Sequence, residues 1–484
     1  MKVQTWRQSW FGNSIKTEVL AGIVIALALI PESIAFSVIA GVDPMVGMYG
    51  SFCIAIMISL VGGRPGMISA ATGAQALLIV GLVADHGLQY LLAATILAGI
   101  FQILFGVFKL SRFLKFISGS VVTGFVNALA ILYFISQIEH FEGATWVMYA
   151  FVALTLAIIY IFPRITKAVP SPLVAIIIVT ALSIYLHADV NTVGDMGSLS
   201  QTLPTFLFPQ IPLTMETFLI ILPYSLAMMI VGLLESLLTA TILDETTNTQ
   251  SNKNMESRGQ GIANIAAGFF GGLPGCAMIG QSIINVSLGA RGRLSTLVAG
   301  GFLMVLILLL TDVVNQIPMA AIVGIMLMVA ISTMDWRSIR TLHKVSKADA
   351  FTMVITVALV VYTHNLAIGV LAGVVLSALF FVMKVSSFSK IKTTTELSQN
   401  GTKKTYFVRG QLFFVTSPAL IEEFDYDDTV ESVDIDFSNA ILWDNSAVEG
   451  LNKVKEKFEQ NNISVTITGL DSTNYFHQEE LVRS

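Results

Sequence analysis

The chain has 484 residues, of which 54% are hydrophobic and 12% charged, with a formal net charge of -5 at pH 7. Ordinary globular proteins carry about 25% charged residues, so a string of soluble domains is excluded and most of the chain is expected in a lipid bilayer. Charge is also unevenly divided: residues 393–484 hold seven basic and sixteen acidic side chains, the first 392 hold twenty and sixteen. A multi-pass membrane domain followed by a small acidic soluble domain fits this split, and nothing in it points to a nucleic-acid partner.

In chain order, residues 1–17 mix Trp6, Trp10 and Phe11 with Arg7 and Lys16, the make-up of a cytoplasmic segment lying along the interface. The run from Val19 to Ala40 is too long for the apolar core of a secretory leader and reads as the first span. Further apolar segments follow at 44–61, 66–84, 88–108, 113–137, 145–162, 170–187, 214–242, 259–271, 275–289, 294–311, 315–332, 348–363 and 365–385, which makes fourteen of spanning or near-spanning length. With the N-terminus inside, Lys2 to Lys16, Arg64, Lys109 to Lys115, Arg164, Lys167, Lys253, Arg258, Arg291, Arg293, Arg337 to Lys347 and Lys384 onward all fall on one side. The alternate loops, including 187–212, have no Lys or Arg. This predicts a plasma-membrane protein with both termini cytoplasmic. Fourteen spans divide into seven and seven, and an odd number per half inverts the second half, so the membrane domain, 18–386, is expected as an inverted repeat of 18–187 and 214–386.

Two short stretches echo each other at matched places in that repeat. Ala70-Ala71-Thr72-Gly73-Ala74-Gln75 falls in span three and Ala277-Met278-Ile279-Gly280-Gln281-Ser282 in span ten; Glu32-Ser33 and Glu235-Ser236 precede them in spans one and eight. The 32 residues between Arg258 and Arg291 must leave one side and return to it, yet as helix they reach only about 48 Å. Two crossings of a core about 30 Å thick need more, so part of span ten must be extended. Gly271-Gly272-Leu273-Pro274-Gly275 suits that role. Span ten is therefore expected as an extended lead-in and a half-helix from about Met278, with span three its inverted partner from about Thr72.

Two opposed half-helix N-termini near the midplane make an anion site without a formal charge, from free backbone N–H groups and about half a positive charge each. Thr72 adds a hydroxyl and Gln281 an amide donor, while Ala70, Ala71, Gly73, Ala277 and Gly280 let a ligand approach the backbone. The blander alternative is that these small residues merely let helices pack closely. Glu32 and Glu235 are the only acids well inside a span, where a charge costs at least about 2.5 kcal/mol. Glu235 and Thr239 share one helix face and could hold a Na+; alternatively the carboxyl carries a proton, or serves only a structural hydrogen bond. Cys53 and Cys276 read as reduced packing residues. The histidines form no metal set, and no Walker A motif, catalytic triad or paired-carboxylate pattern is present, so no enzyme and no cofactor beyond a coupling Na+ or H+ is expected.

The run Ile30-Pro31-Glu32-Ser33-Ile34-Ala35-Phe36, the stretch Gln260-Gly261-Ile262-Ala263-Asn264, and Gly271-Gly272-Leu273-Pro274-Gly275 leading to Asn285 resemble the fingerprints of the SulP family of inorganic-anion transporters. The resemblance covers essentially the whole chain. It implies a seven-plus-seven inverted-repeat fold with a gate and a core domain, an elevator-like movement, a homodimer, and a substrate site lined by Phe36, Thr72, Gly73, Ala277, Met278, Ile279, Gly280 and Gln281. It also places Glu235 and Thr239 where the bicarbonate-transporting branch is thought to bind Na+. Many relatives carry Arg where Gln281 stands, and the sodium-coupled branch has Asp where Glu235 stands; the first departure favours cation-coupled uptake over exchange, and the second leaves Na+ against H+ open.

The tail, 393–484, resembles a short STAS domain: Tyr406 to Val415, Val433 to Phe437 and Ile463 to Thr468 read as strands and Ser446 to Asn461 as a helix. Asp444-Asn445-Ser446-Ala447 matches the turn where related anti-sigma antagonists are phosphorylated, which would make Ser446 a regulatory site; N-capping by Asp444 or Asn445 is the simpler explanation of it. The function expected is secondary active transport of sulfate or bicarbonate, coupled to Na+ or H+. The alternatives are a nucleobase permease of the same architecture, an anion channel, or a membrane signalling scaffold.

Overall fold

Apolar side chains on this chain face outward as well as inward. Trp146, Tyr185, Leu309 and Tyr362 are 79%, 80%, 72% and 87% exposed, a surface that water would not tolerate and lipid would cover. The computed structural model describes residues 6–12, 14–112, 117–165, 170–196, 202–386, 390–398, 401–426 and 430–470. Lys2, Lys115 and Lys167 of the basic pattern, the first residues of the segment at 113–137, part of the loop 187–212 and the tail beyond 470 lie outside the described residues.

A short helix, α1 (Trp6–Phe11), precedes α2 (Ile15–Ala40), α3 (Pro44–Val61), strand β1 (Ser69–Ala71), α4 (Gly73–His86), α5 (Leu88–Val107), α6 (Gly119–Ile138), α7 (Trp146–Ile161) and α8 (Ser171–Leu186). After α9 (Val193–Met196) come α10 (Met215–Thr247), α11 (Lys253–Phe269), β2 (Gly275–Ala277), α12 (Ile279–Ser287), α13 (Arg293–Asn315), α14 (Met319–Thr333), α15 (Trp336–Thr341), α16 (Lys347–Thr363) and α17 (Leu366–Ser386). A helix thus stands in each of the fourteen apolar segments, and the two short strands stand where extended backbone was expected. Among the described residues, seven helices are long and apolar enough to cross a membrane, or eight if Met319–Thr333 and Trp336–Lys344, bent by 40°, form one span.

Local signals set the helix ends. Ser14 caps α2 by accepting from the Thr17 N–H, and Gly41 closes it with a left-handed φ of 70°. Thr214 caps α10 in the same way, and Asn248 ends it at φ 56°.

The helices pack as two bundles. In one, α11 lies against α5 and α3, α13 against α2 and α3, and α10 against α5 and α4. In the other, α6 lies against α14 and α16, and α7 against α8 and α14. Contact between the bundles is narrower and runs through α2 against α14 and α8, and α4 against α6.

The chain divides into two compact units, Met1–Val374 and Val375–Ser484. In the second, β3 (Lys390–Ser398), β4 (Gly401–Leu412), β5 (Ser432–Leu442) and β6 (Ser464–Thr468) form one sheet in that order, with β3 antiparallel to β4 and the other pairs parallel. Helix α18 (Ser417–Glu422) connects β4 to β5, and α19 (Asn445–Gln460) connects β5 to β6. Val433, Ile435 and Phe437 alternate inward on β5, and Leu451, Val454 and Phe458 bury one face of α19 against them. Asp444 caps α19 by accepting from the Ala447 N–H at 3.0 Å, and its other oxygen takes the Phe414 N–H at 2.9 Å.

Candidate functional site

The two echoing stretches meet. β1 pairs antiparallel with β2, with Ser69 opposite Ala277, Ala70 opposite Cys276 and Ala71 opposite Gly275. Gly275 permits this approach, because a Cβ there would run into the Ala70 carbonyl. Helix α4 follows β1 after Thr72 and α12 follows β2 after Met278, so the two helices leave the ribbon from opposite ends. Neither Thr72 nor Met278 caps its helix with a side chain, and the first N–H groups of a helix have no acceptor within it. The ribbon therefore holds two helix N-termini, neither capped by its own N-cap side chain, three residue pairs apart.

The Glu-Ser pairs serve the ribbon on both sides. Ser236 accepts the Ala277 N–H at 3.0 Å. Ser51 accepts the Ala71 N–H at 3.2 Å and is joined to Ser33 at 2.6 Å. The glutamates beside these serines both reach the second stretch: the Glu32 carboxylate accepts the Gln281 amide on both oxygens, and Glu235 Oε2 accepts the Cys276 thiol at 3.0 Å.

At the α4 end, Phe36 stacks on Tyr133 with ring centroids 6.3 Å apart. A Cβ at Gly73 would collide with both rings, and the Tyr133 hydroxyl faces the Ala74 backbone N–H. Phe36, Thr72 and Tyr133 are buried, which closes this end. At the α12 end Gly280 is exposed, and Ile279, Gln281, Glu32 and Glu235 are half-buried.

The remaining residues singled out in the sequence divide between this site and its walls. Met278 is buried in the main core, and Ala277 packs with Met67, Ala240, Leu243 and Val286. Thr239 is buried, and its hydroxyl donates to the Glu235 backbone carbonyl at 2.7 Å, along its own helix. Thr72 turns its hydroxyl to the Cys276 sulfur at 3.1 Å. Gln281 spends its amide on Glu32.

Three residues that sequence reasoning passed over stand at the site. Cys276 reads as packing in the sequence, but here it bridges Thr72 and Glu235. Tyr133 lies in an apolar run with nothing to mark it. Gln75 donates to the Met228 carbonyl at 3.0 Å while its buried Oε1 has no hydrogen-bond partner; its place three residues after Thr72 was the available signal.

Three further acids, Glu18, Asp244 and Glu256, are buried at helix ends. Glu18 accepts from the Arg291, Gly292 and Ser295 N–H groups. Glu256 accepts from the Gly63 and Arg64 N–H groups, and Asp244 pairs with Arg64 at 3.1 Å and Lys253 at 2.9 Å. Arg293 donates to the Ser59 and Gly62 carbonyls. The contacts of Glu256, Asp244 and Arg293 clamp the turn that leads into β1, and those of Glu18 hold the turn between α12 and α13.

A Na+ takes hard oxygen donors. The Glu235 carboxylate, the Thr239 hydroxyl and the orphaned Gln75 Oε1 are of that kind, but the Gln75 atom that a Cβ at Gly232, one turn before Glu235, would touch is the amide nitrogen, a donor. Among the described residues no group of three or more His, Cys, Asp and Glu comes together to hold a metal ion.

Comparison with known proteins identifies the family of the chain. The chain matches the sulfate permease family over residues 15–147 and 144–356. It is 57% identical to YbaR of Bacillus subtilis (strain 168) over 467 residues, covering 96% of this chain and 97% of that protein. The solved transmembrane domain of a cyanobacterial bicarbonate transporter, BicA, is similar with a TM-score of 0.66 at 26% identity, over 76% of this chain and 98% of that one. Murine Solute Carrier 26 family member A9, an anion transporter, shares the fold with a TM-score of 0.81 at 16% identity, over 98% of this chain and 87% of its own. The chain belongs to the sulfate permease family, a family of membrane anion transporters and not of enzymes.

Proposed function

We propose that the protein is a secondary active transporter that takes sulfate or bicarbonate into the cell, driven by Na+ or H+. The observation that carries this reading is the β1–β2 ribbon, which presents two helix N-termini with no cap from their own N-cap side chains beside two glutamates within an apolar chain. Backbone N–H groups and helix dipoles favour an anion there. A carboxylate beside an anion is repulsive until a cation neutralises it, so Glu235 with Thr239, and Glu32 with Gln281, are the groups through which a cation permits the anion to bind. The substrate then lies among Phe36, Thr72, Gly73 and residues Ala277 to Gln281.

The fourteen helical segments act as fourteen spans in a seven-plus-seven inverted repeat, with both termini in the cytoplasm of a plasma-membrane protein. The bundle carrying α4 and α12 is the moving core and the bundle of α6, α7, α8, α14 and α16 the gate, and their narrow contact supports sliding of one past the other. The acidic tail serves as a STAS domain, with Ser446 in the second position of α19 as a candidate phosphosite, and the working form is a homodimer.

The test is uptake by purified protein in liposomes. Glu235→Gln is expected to abolish uptake or its dependence on the imposed cation gradient while leaving expression near the wild-type level. Unchanged coupling in Glu235→Gln would refute the assignment, and competition by uracil or xanthine would point instead to a nucleobase permease.

A further inference from the structure

We propose that Cys276 is a positioning residue whose thiol reports cation binding at Glu235 to the anion site at Thr72. The inference rests on the transport reading above and assigns its cation–anion linkage to one hydrogen-bond chain. Three elements meet at this thiol: Cys276 from β2, Thr72 from the start of α4 and Glu235 from α10. Cys276 is fully buried and donates its S–H to Glu235 Oε2 at 3.0 Å, with the Thr72 hydroxyl 3.1 Å from its sulfur.

A thiol has one proton to give. While that proton goes to Glu235, the contact with Thr72 is made by the Thr72 O–H donating to sulfur. The Thr72 oxygen then offers only lone pairs to its surroundings, which repels an anion. A cation on Glu235 Oε2 removes the acceptor of the S–H. The thiol can then turn to donate to Thr72 Oγ1, and the Thr72 proton becomes free for the anion. Two bond rotations reverse the chain, and no proton leaves its atom.

Thr72 has no competing capping bond to hold its hydroxyl. The strand pairing of Cys276 with Ala70 keeps the sulfur in register with it. Ordering of the two substrates, cation before anion, follows from the rotation.

The experiment uses the full-length protein in liposomes, with labelled sulfate and bicarbonate, and measures anion KM and kcat at low and high concentration of whichever of Na+ or H+ drives the wild type. The wild type is expected to show a KM that falls by about five-fold or more as the cation rises, a coupling of ordinary size. Cys276→Val, which keeps an apolar side chain of similar size in the strand, should collapse that ratio to about one with kcat little changed. Cys276→Ser, which keeps a donor and acceptor, should restore the wild-type ratio. If Cys276→Val does not fold, Cys276→Ala removes the same thiol without adding a branched side chain and should give the same collapse. A wild-type ratio in the Val variant, or a collapsed ratio in the Ser variant, would overturn the role of Cys276 while leaving the transport reading intact. No saturable anion uptake by the wild type would overturn both.

Discussion

A methyl group at position 73 would have nowhere to go, since Phe36 and Tyr133 both press on the Gly73 backbone. Gly73→Ala gains about 1 kcal/mol of helix propensity and loses about 1–3 kcal/mol to overpacking, so stability should fall by no more than about 2 kcal/mol. Uptake should nonetheless fall by about ten-fold or more, because rings displaced from Gly73 block the N-terminus where the anion binds; a misplacement of about 1 Å can cost far more than its strain energy. Melting and uptake measured on the same preparation check this, and wild-type uptake would contradict it. Glu32 and Glu235 were legible because a carboxylate in an apolar run is costly and stands out. Cys276 and Tyr133 were not, because Cys and Tyr in such a run are ordinary buried residues, and only their neighbours in space give them a role. Glu18, Asp244 and Glu256 carry no such mark, because they lie at helix ends, where an acid is ordinary. Their burial answers a need that sequence hides, which is to satisfy the N–H groups of turns packed against other helices.

At the scale of elements, the shortage of length between Arg258 and Arg291 correctly demanded extended backbone, and the half-helices begin at Gly73 and Ile279, within a residue of the expected starts. The pairing of β1 with β2 was not legible. Strands of three residues, separated by more than half the membrane domain, carry no periodicity from which a register can be read. What fixes the register is side chains on other helices. Asn264 brackets Gly275, donating to its carbonyl at 3.0 Å and accepting its N–H at 2.9 Å, and also donates to Gln102 at 2.9 Å. Asn264→Ala strands three buried partners, at roughly 1–3 kcal/mol each, so it should lower the melting temperature in detergent clearly and reduce uptake with it. An unchanged melting temperature would show that the lead-in is held some other way. In the tail, β5, α19 and β6 followed from alternation and helical spacing, whereas β3 was missed because the sequence Lys390–Ser398 has no apolar alternation and gains its place by pairing with β4.

For the whole molecule, composition and basic-residue placement located the helical segments. They did not reveal the division into two bundles, since helices that are apolar all round give no sign of which neighbour each prefers. The tail has its own core of Tyr406, Phe424, Phe437 and Phe458, with ring contacts such as Tyr406 to Phe424 at 4.8 Å. A chain ending at Ser386 should therefore insert and take up anion with unchanged KM, and loss of all uptake would show that the tail is needed for transport itself. The most direct test of the account is uptake of labelled sulfate and bicarbonate by the purified full-length protein in liposomes, with Na+ and pH gradients imposed separately. Saturable uptake of one of these anions, accelerated by one of the two gradients, is the predicted result; no uptake of either anion, or uptake indifferent to both gradients, would contradict it.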